Sequence, residues 1–152
     1  MPYSDGMVYE FPHGLPAFEE EKKFLLFQAP TGGPLLFLQS MRQASLCFVA
    51  FPIGIVDERY ELAIAAEDLE QLGLDVSRQP DPDSEVLVLA LLSLRGKGMP
   101  TVNLMAPVVL NLKTRRGLQA IRRDSRYSHQ YPVSGSESEG RVRYGHAGEE
   151  AC

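Results

Sequence analysis

The sequence predicts a mainly β protein, a small β-barrel-like single domain of short antiparallel strands with one short helix. Apolar segments of strand length recur along the chain, and close, glycine-containing turns separate them. Several segments are apolar on both faces, as strands are in a small closed barrel or beneath a covering loop. With 152 residues, of which 44% are hydrophobic and 23% charged, the chain can bury one core.

The first half of the chain supplies four predicted strands. Residues 7–11 and 23–29 flank the turn-rich sequence PHGLPAFEEE. Residues 34–40 and 45–53 follow, and they are separated by MRQA, which is a hairpin-length connection. This second pair is therefore expected to form a hairpin.

The sequence AAEDLEQLGL predicts the single helix, near residues 66–72. Its spacing places Leu69 and Leu72 on one side, and its acidic residues lie in the first turn, where the helix dipole favours them. Gly73 stands where a C-terminal capping glycine belongs. The sequence that follows, DVSRQPDPDSE, contains two prolines and is expected to be an exposed loop.

The second half adds residues 84–94 and 99–112, joined by the glycine turn RGKG, and residues 117–123, which can pair back. Within TVNLMAPVVLN the strand pattern is broken, because a proline cannot donate to the ladder and two asparagines bracket it. The asparagines could restore the hydrogen bonds that the break removes. Alternatively, the break could leave a groove where a partner segment docks.

Residues 1–133 are predicted to form the folded domain, and residues 134–152 a disordered polar and acidic tail with almost nothing to bury. The N-terminal sequence has no secretory signal, and no apolar run approaches the roughly eighteen residues that span a bilayer. A cytoplasmic protein without membrane contact is therefore expected.

The net charge of −5 is unevenly distributed. Residues 1–87 carry fifteen acidic and five basic side chains, whereas residues 88–133 carry one acidic and eight basic. The basic stretch at 113–126 could bind RNA phosphates, face a protein partner or simply be solvated. Because the whole chain is acidic and few aromatic residues accompany this stretch, direct nucleic-acid binding is not expected.

No pattern in the sequence indicates catalysis. The adjacent acids Glu19, Glu20 and Glu21 would point apart on an extended chain, and no serine lies in a nucleophile-elbow motif. The glycine-rich turns do not match phosphate-binding spacing, and no Cys or His pair has the spacing of metal ligands. We therefore expect no enzyme, no cofactor and no metal.

Four sequence blocks resemble the FliW family of flagellar assembly factors. They are FPHGLPAFEE near the start, LFLQS at 36–40, DERYEL at 57–62, and TVNLMAPVVLNLKTRRGLQAI with the later YSHQYPV. The last block is the most specific. The chain differs from the family at Ala17, where a second glycine is usual, and the sequence after Val133 has no family counterpart that we can place.

The resemblance implies a small barrel without enzymatic activity. Proteins of this family bind newly made flagellin and also bind CsrA, an RNA-binding translational repressor. Export of flagellin frees the factor to sequester CsrA, so that flagellin mRNA is translated. The alternatives are a small-molecule-binding β-barrel, or an RNA-binding module that uses the 113–126 basic hairpin.

Two sets of candidate site residues follow. Positions typical of the family, or strand positions that could face outward and contact the apolar face of a flagellin helix, are Phe37, Gln39, Ser40, Asn103, Met105, Pro107, Val109, Asn111 and Gln119. Alternatively, Phe37, Met105 and Val109 could all belong to the core, because apolar strand residues are mostly buried. Acidic residues that could attract the positive surface of CsrA are Asp57, Glu58, Glu61, Glu67, Asp68 and Glu70.

Overall fold

The structure, a computed structural model, describes residues 7–30, 32–82, 84–94 and 99–133. The predicted tail, residues 134–152, and the RGKG turn lie outside the described residues. Within the described ranges, no helix is long and apolar enough to cross a membrane.

Short strands dominate the fold, as the sequence predicts. In chain order the elements are β1 (Met7–Glu10), β2 (Lys23–Gln28), β3 (Leu36–Ser40), β4 (Cys47–Pro52), α1 (Ile53–Val56), α2 (Ala66–Leu72), β5 (Val86–Ser93), β6 (Thr101–Val102), β7 (Val108–Asn111), β8 (Gly117–Gln119) and β9 (Tyr131–Pro132). The predicted helix is confirmed as α2, which ends at Gly73 in the left-handed conformation. The single-turn helix α1 was not predicted, because its sequence IGIV continues the apolar pattern of β4.

Seven strands form a nearly closed antiparallel barrel in the order β1-β2-β3-β4-β5-β7-β8. The barrel closes where the Glu10 N–H donates to the carbonyl of Arg115 (2.8 Å) and Glu10 forms a bridge with Arg116. The strands β6 and β9 form a small ribbon that extends from the end of β5. The predicted fold class is confirmed.

Two hydrophobic cores explain why some strands are apolar on both faces. The inner core fills the barrel and draws on all seven strands except β8, with Tyr9, Phe24 and Leu38 fully buried. The outer core lies between the barrel wall and α2, whose Leu69 and Leu72 it contains. In β5, successive side chains alternate between the two cores, which is the period-two pattern of a strand with no solvated face.

The broken strand predicted from TVNLMAPVVLN is a bulge between β6 and β7. Val102 lies opposite Leu92 and Val108 opposite Leu89, so residues 103–107 face only residues 90 and 91 of β5. The extra residues leave the ladder, and Oδ1 of Asn103 accepts hydrogen bonds from the N–H groups of the second and third residues after it (3.0 Å each). The proposed repair of the ladder by asparagine is confirmed here.

Asn111 performs a related function at the turn between β7 and β8. Its Oδ1 accepts from the N–H groups of Lys113 (2.8 Å) and Thr114 (3.2 Å), and its Nδ2 donates to the carbonyl of Leu72 (2.7 Å). Because Leu72 is the last residue of α2, this one side chain also fixes the helix end against the barrel.

Candidate functional site

The surface of the bulge carries a shallow apolar depression, which we call the bulge groove. Its volume is about 240 Å³, and its lining residues are Pro16, Asn103, Met105, Ala106, Gln119, Ile121 and His129. The predicted candidates Asn103, Met105 and Gln119 therefore lie together. Ile121 is 55% exposed and was not among the predicted candidates, although it lies in the predicted strand 117–123; in the structure β8 ends at Gln119.

The polar candidates in the groove are held in place by the backbone. Gln119 donates from Nε2 to the carbonyl of Ala106 (2.8 Å), and the Ala120 N–H donates to the carbonyl of Pro107 (2.8 Å). Oδ1 of Asn103 accepts hydrogen bonds from backbone N–H groups within the bulge. The groove thus has a fixed wall, and its exposed apolar atoms do not depend on a mobile side chain for support.

Two apolar candidates lie elsewhere. The expectation that Phe37 and Val109 face outward is wrong, since they are 1% and 0% exposed. Val109 belongs to the outer core beneath α2, and the Phe37 ring stacks on Phe27 with 5.1 Å between centroids. Both lie in strands that are covered on both faces, which an alternating pattern alone does not reveal. Pro107 is buried as well.

Gln39 and Ser40 stabilise the hairpin between β3 and β4. Gln39 donates to the carbonyls of Ala44 (3.0 Å) and Leu46 (3.1 Å). The Ser40 hydroxyl donates to Oε1 of the buried Glu21 (2.6 Å), whose other oxygen accepts from Arg42 (2.6 Å). These hydrogen bonds, that from Ser40 first, lower the pKa of the Glu21 carboxyl.

The fold interleaves part of the acidic and basic halves of the chain. Glu61 pairs with Arg126, and Glu67 pairs with Arg123. The pKa of Glu61 is lowered, first by its hydrogen bond with Arg126. Two of the six predicted acidic candidates are therefore neutralised by bases from the predicted basic stretch, and the charge segregation in the sequence is partly removed.

The other acidic candidates differ in environment. Asp57, Glu58, Asp68 and Glu70 form no ion pair among the residues that the structure describes. Asp68 is half-buried, and burial followed by the nearby Glu67 raises its pKa. Glu70 is exposed on α2. Asp57 and Glu58 lie at the mouth of a separate cavity.

That cavity, the acidic pocket, has a volume of about 520 Å³. Its lining residues are Pro52, Ile53, Gly54, Ile55, Asp57, Glu58, Tyr60, Leu62, Asp81, Pro82, Leu87 and Val88. It lies between α1, the DERYEL segment and the start of β5. The sequence predicted two of its acids as candidates but not the pocket, because residues 52–62, 81–82 and 87–88 meet only in the folded chain.

Arg122 belongs to the basic stretch at 113–126, which the sequence predicted to lie on the surface, but its side chain is buried. It is 4% exposed, so it cannot present its charge on a basic hairpin surface. It donates to both oxygens of Asp124 (2.8 and 2.9 Å) and to the Tyr60 hydroxyl (3.2 Å), and its guanidinium lies 4.7 Å from the Tyr127 ring centroid. The hydrogen bond with Asp124 is the main reason why its pKa is raised.

With Arg122 buried and two further arginines paired, the 113–126 segment does not form a continuous positive stripe. The barrel interior is filled by its inner core, so a ligand site inside the barrel gains no support either. Within the described ranges, no three His, Cys, Asp or Glu side chains are grouped so that they could hold a metal ion.

Comparison with known proteins agrees with the four sequence blocks. The sequence profile of the family described as FliW protein matches residues 1–133. The chain belongs to the FliW family. A flagellar assembly factor FliW from Syntrophomonas wolfei is 33% identical over 132 residues, which are 86% of this chain and 81% of the relative. One from Clostridium novyi is 32% identical over 133 residues, 86% of this chain and 88% of the relative.

A comparison with solved structures also supports membership of the FliW family. A crystal structure of the flagellar assembly factor FliW matches with a TM-score of 0.73 and 28% sequence identity, and the match covers 86% of this chain and 88% of that chain. The bulge groove and the acidic pocket lie at different places on this barrel and have no lining residue in common.

Proposed function

We propose that this protein is a cytoplasmic, non-enzymatic flagellar assembly factor that binds flagellin and antagonises CsrA, and so couples flagellin synthesis to export. Family membership and the names of its relatives support the flagellar part of the proposal. The observation that carries it is the bulge groove, an exposed apolar surface that brings together the candidates Asn103, Met105 and Gln119.

The bulge groove suits the apolar face of an amphipathic helix. Met105, Ile121 and Pro16 offer apolar contact area, while Oδ1 of Asn103 and Nε2 of Gln119 are already hydrogen-bonded to the backbone, which fixes the orientation of both side chains. Flagellin subunits carry amphipathic terminal helices that are unpaired before the filament assembles. A helix in a groove is a common way of recognising such a segment.

The experiment compares Ile121→Glu with Val76→Glu. The two side chains have nearly equal exposure, 55% and 54%, but only Ile121 lines the bulge groove. We expect Ile121→Glu to raise the Kd for purified flagellin about tenfold or more, as loss of a central apolar contact does. Val76→Glu should leave the Kd within about twofold, and both variants should keep the wild-type unfolding midpoint.

The possible outcomes distinguish an error in the proposed function from an error in the proposed binding surface. If the wild-type protein does not bind flagellin in this titration, the proposed function is wrong. If the wild type binds and Ile121→Glu binds equally well, flagellin binds elsewhere on the surface. Antagonism of CsrA is measured in parallel, as the loss of CsrA binding to flagellin mRNA when the protein is added.

A further inference from the structure

The acidic pocket combines an apolar floor with a negatively charged mouth. Ile53, Leu62 and Val88 contribute the apolar floor, and Ile55 stands at the mouth with 51% of its surface exposed. The carboxylates of Asp57, Glu58 and Asp81 also line the pocket, whereas no lysine or arginine does.

The protein offsets the charge of these three acids only weakly, through the longer-range interaction of Arg78 with Asp81 among the described residues. None of them forms an ion pair among the described residues. Oδ1 of Asp57 accepts a hydrogen bond from a neighbouring backbone N–H (3.0 Å), and Oδ2 of Asp81 accepts from the Ser84 hydroxyl (2.7 Å). Arg78, a nearby base, donates to both oxygens of Glu85 (2.8 and 2.7 Å) and is occupied there.

The arrangement of the carboxylates limits what can bind. Since the described acids are not grouped closely enough to hold a metal ion, a single small cation is not the matching ligand. Separate negative charges around an apolar cavity are complementary to separate positive charges on either side of an apolar group. A polypeptide segment with a bulky apolar side chain between lysines or arginines has that chemistry.

We propose that the acidic pocket binds such a basic segment, and that the segment belongs to CsrA. This inference rests on the proposed function, which supplies CsrA as the basic partner. The apolar side chain enters the pocket, while the flanking cations approach Asp57, Glu58 and Asp81. The four remaining acidic candidates, two of them already paired, then contribute little to binding.

The test uses two kinds of variant, measured as association and dissociation rates with purified CsrA. Asp57→Asn with Glu58→Gln removes two charges and keeps one acceptor oxygen on each side chain. The control, Glu19→Gln with Glu20→Gln, makes the same change in net charge on another exposed loop, where Glu20 lies 3.6 Å from Arg42. We expect the pocket double variant to slow association at least fivefold and the control to change it less than twofold, because local charge complementarity mainly sets the association rate.

Ile55→Ser tests the apolar part, and we expect it to raise the dissociation rate at least fivefold with little change in association. The inference is overturned if the pocket double variant associates with CsrA as fast as the control, or if it loses flagellin binding while it keeps CsrA. If the wild type does not bind CsrA at all, the proposed function is wrong. If the wild type and the pocket double variant bind CsrA equally well, the proposed function stands and the location of the binding site is wrong.

Discussion

At the scale of single residues, Ala17 adopts a left-handed backbone conformation that residues other than glycine disfavour. The turn from Leu15 to Phe18 has proline second and Ala17 third, with φ of 71° at Ala17 and a hydrogen bond from the Phe18 N–H to the Leu15 carbonyl (2.7 Å). This pattern requires a positive φ at the third position, which favours glycine. An L-residue there costs about 1 kcal/mol.

We therefore expect Ala17→Gly to stabilise the protein by up to about 0.5 kcal/mol in urea unfolding, after the greater entropy of glycine in the unfolded chain is subtracted. Ala66→Gly is the control, since Ala66 is exposed and helical. That change should destabilise by a similar amount. A destabilising Ala17→Gly would show that the left-handed conformation carries no strain in this turn.

The two asparagines differ in which atoms they use. Towards the residues that the structure describes, Asn103 uses its acceptor oxygen alone, whereas Asn111, which is 3% exposed, also donates to Leu72. Asn103→Asp should therefore change the free energy of unfolding by less than about 0.5 kcal/mol. Asn111→Asp should lower it by about 2 kcal/mol or more, because it places a carboxylate against a buried carbonyl. Equal losses in urea titrations of the two variants would contradict this assignment.

At the scale of elements, the sequence predicted those helices and strands that have a recognisable pattern within their own residues. The helix α2 was predictable because Leu69, Leu72 and Gly73 lie at helix-specific positions, and β2 to β5 because their apolar runs lie between turns. The two-residue strand β9 has no such signal, since it exists only through its pairing with β6. The candidate site was predicted only in part, because burial on both faces of β3 and β7 depends on what the rest of the chain places over them.

The segment before β5 is held by a pair whose strength depends on pH. Hydrogen bonds from Arg78 lower the pKa of Glu85 from 4.5 to about 2. Since the pKa is lower in the folded state, the stabilisation is present above the unfolded value and is lost as the pH falls from 4.5 towards 2. Glu85→Gln should therefore be less stable than the wild type at pH 7, and the difference should shrink at pH 2 to 3 in urea titrations. A difference independent of pH would contradict the ion-pair explanation.

At the scale of the whole molecule, the distribution of charge distinguishes the two proposed binding surfaces. The pairs Glu61–Arg126 and Glu67–Arg123 neutralise one part of the predicted acidic surface, whereas the acidic pocket keeps its charge. The bulge groove has Met105 and Ile121 and no Asp, Glu, Lys or Arg in its lining. One small barrel therefore offers an electrostatic surface and an apolar surface.

These surfaces predict different responses of the two binding reactions to salt. Screening at a Debye length of about 8 Å at physiological ionic strength, against about 30 Å at 0.01 M, should slow the association of CsrA several-fold between the two conditions. The Kd for flagellin should change less than about twofold, since apolar contact is not screened. Stopped-flow association with CsrA and calorimetric titration with flagellin, each at both ionic strengths, measure the two responses. Equal salt dependence for the two partners would mean that both are recognised through the same charged surface, and the division into groove and pocket would then be wrong.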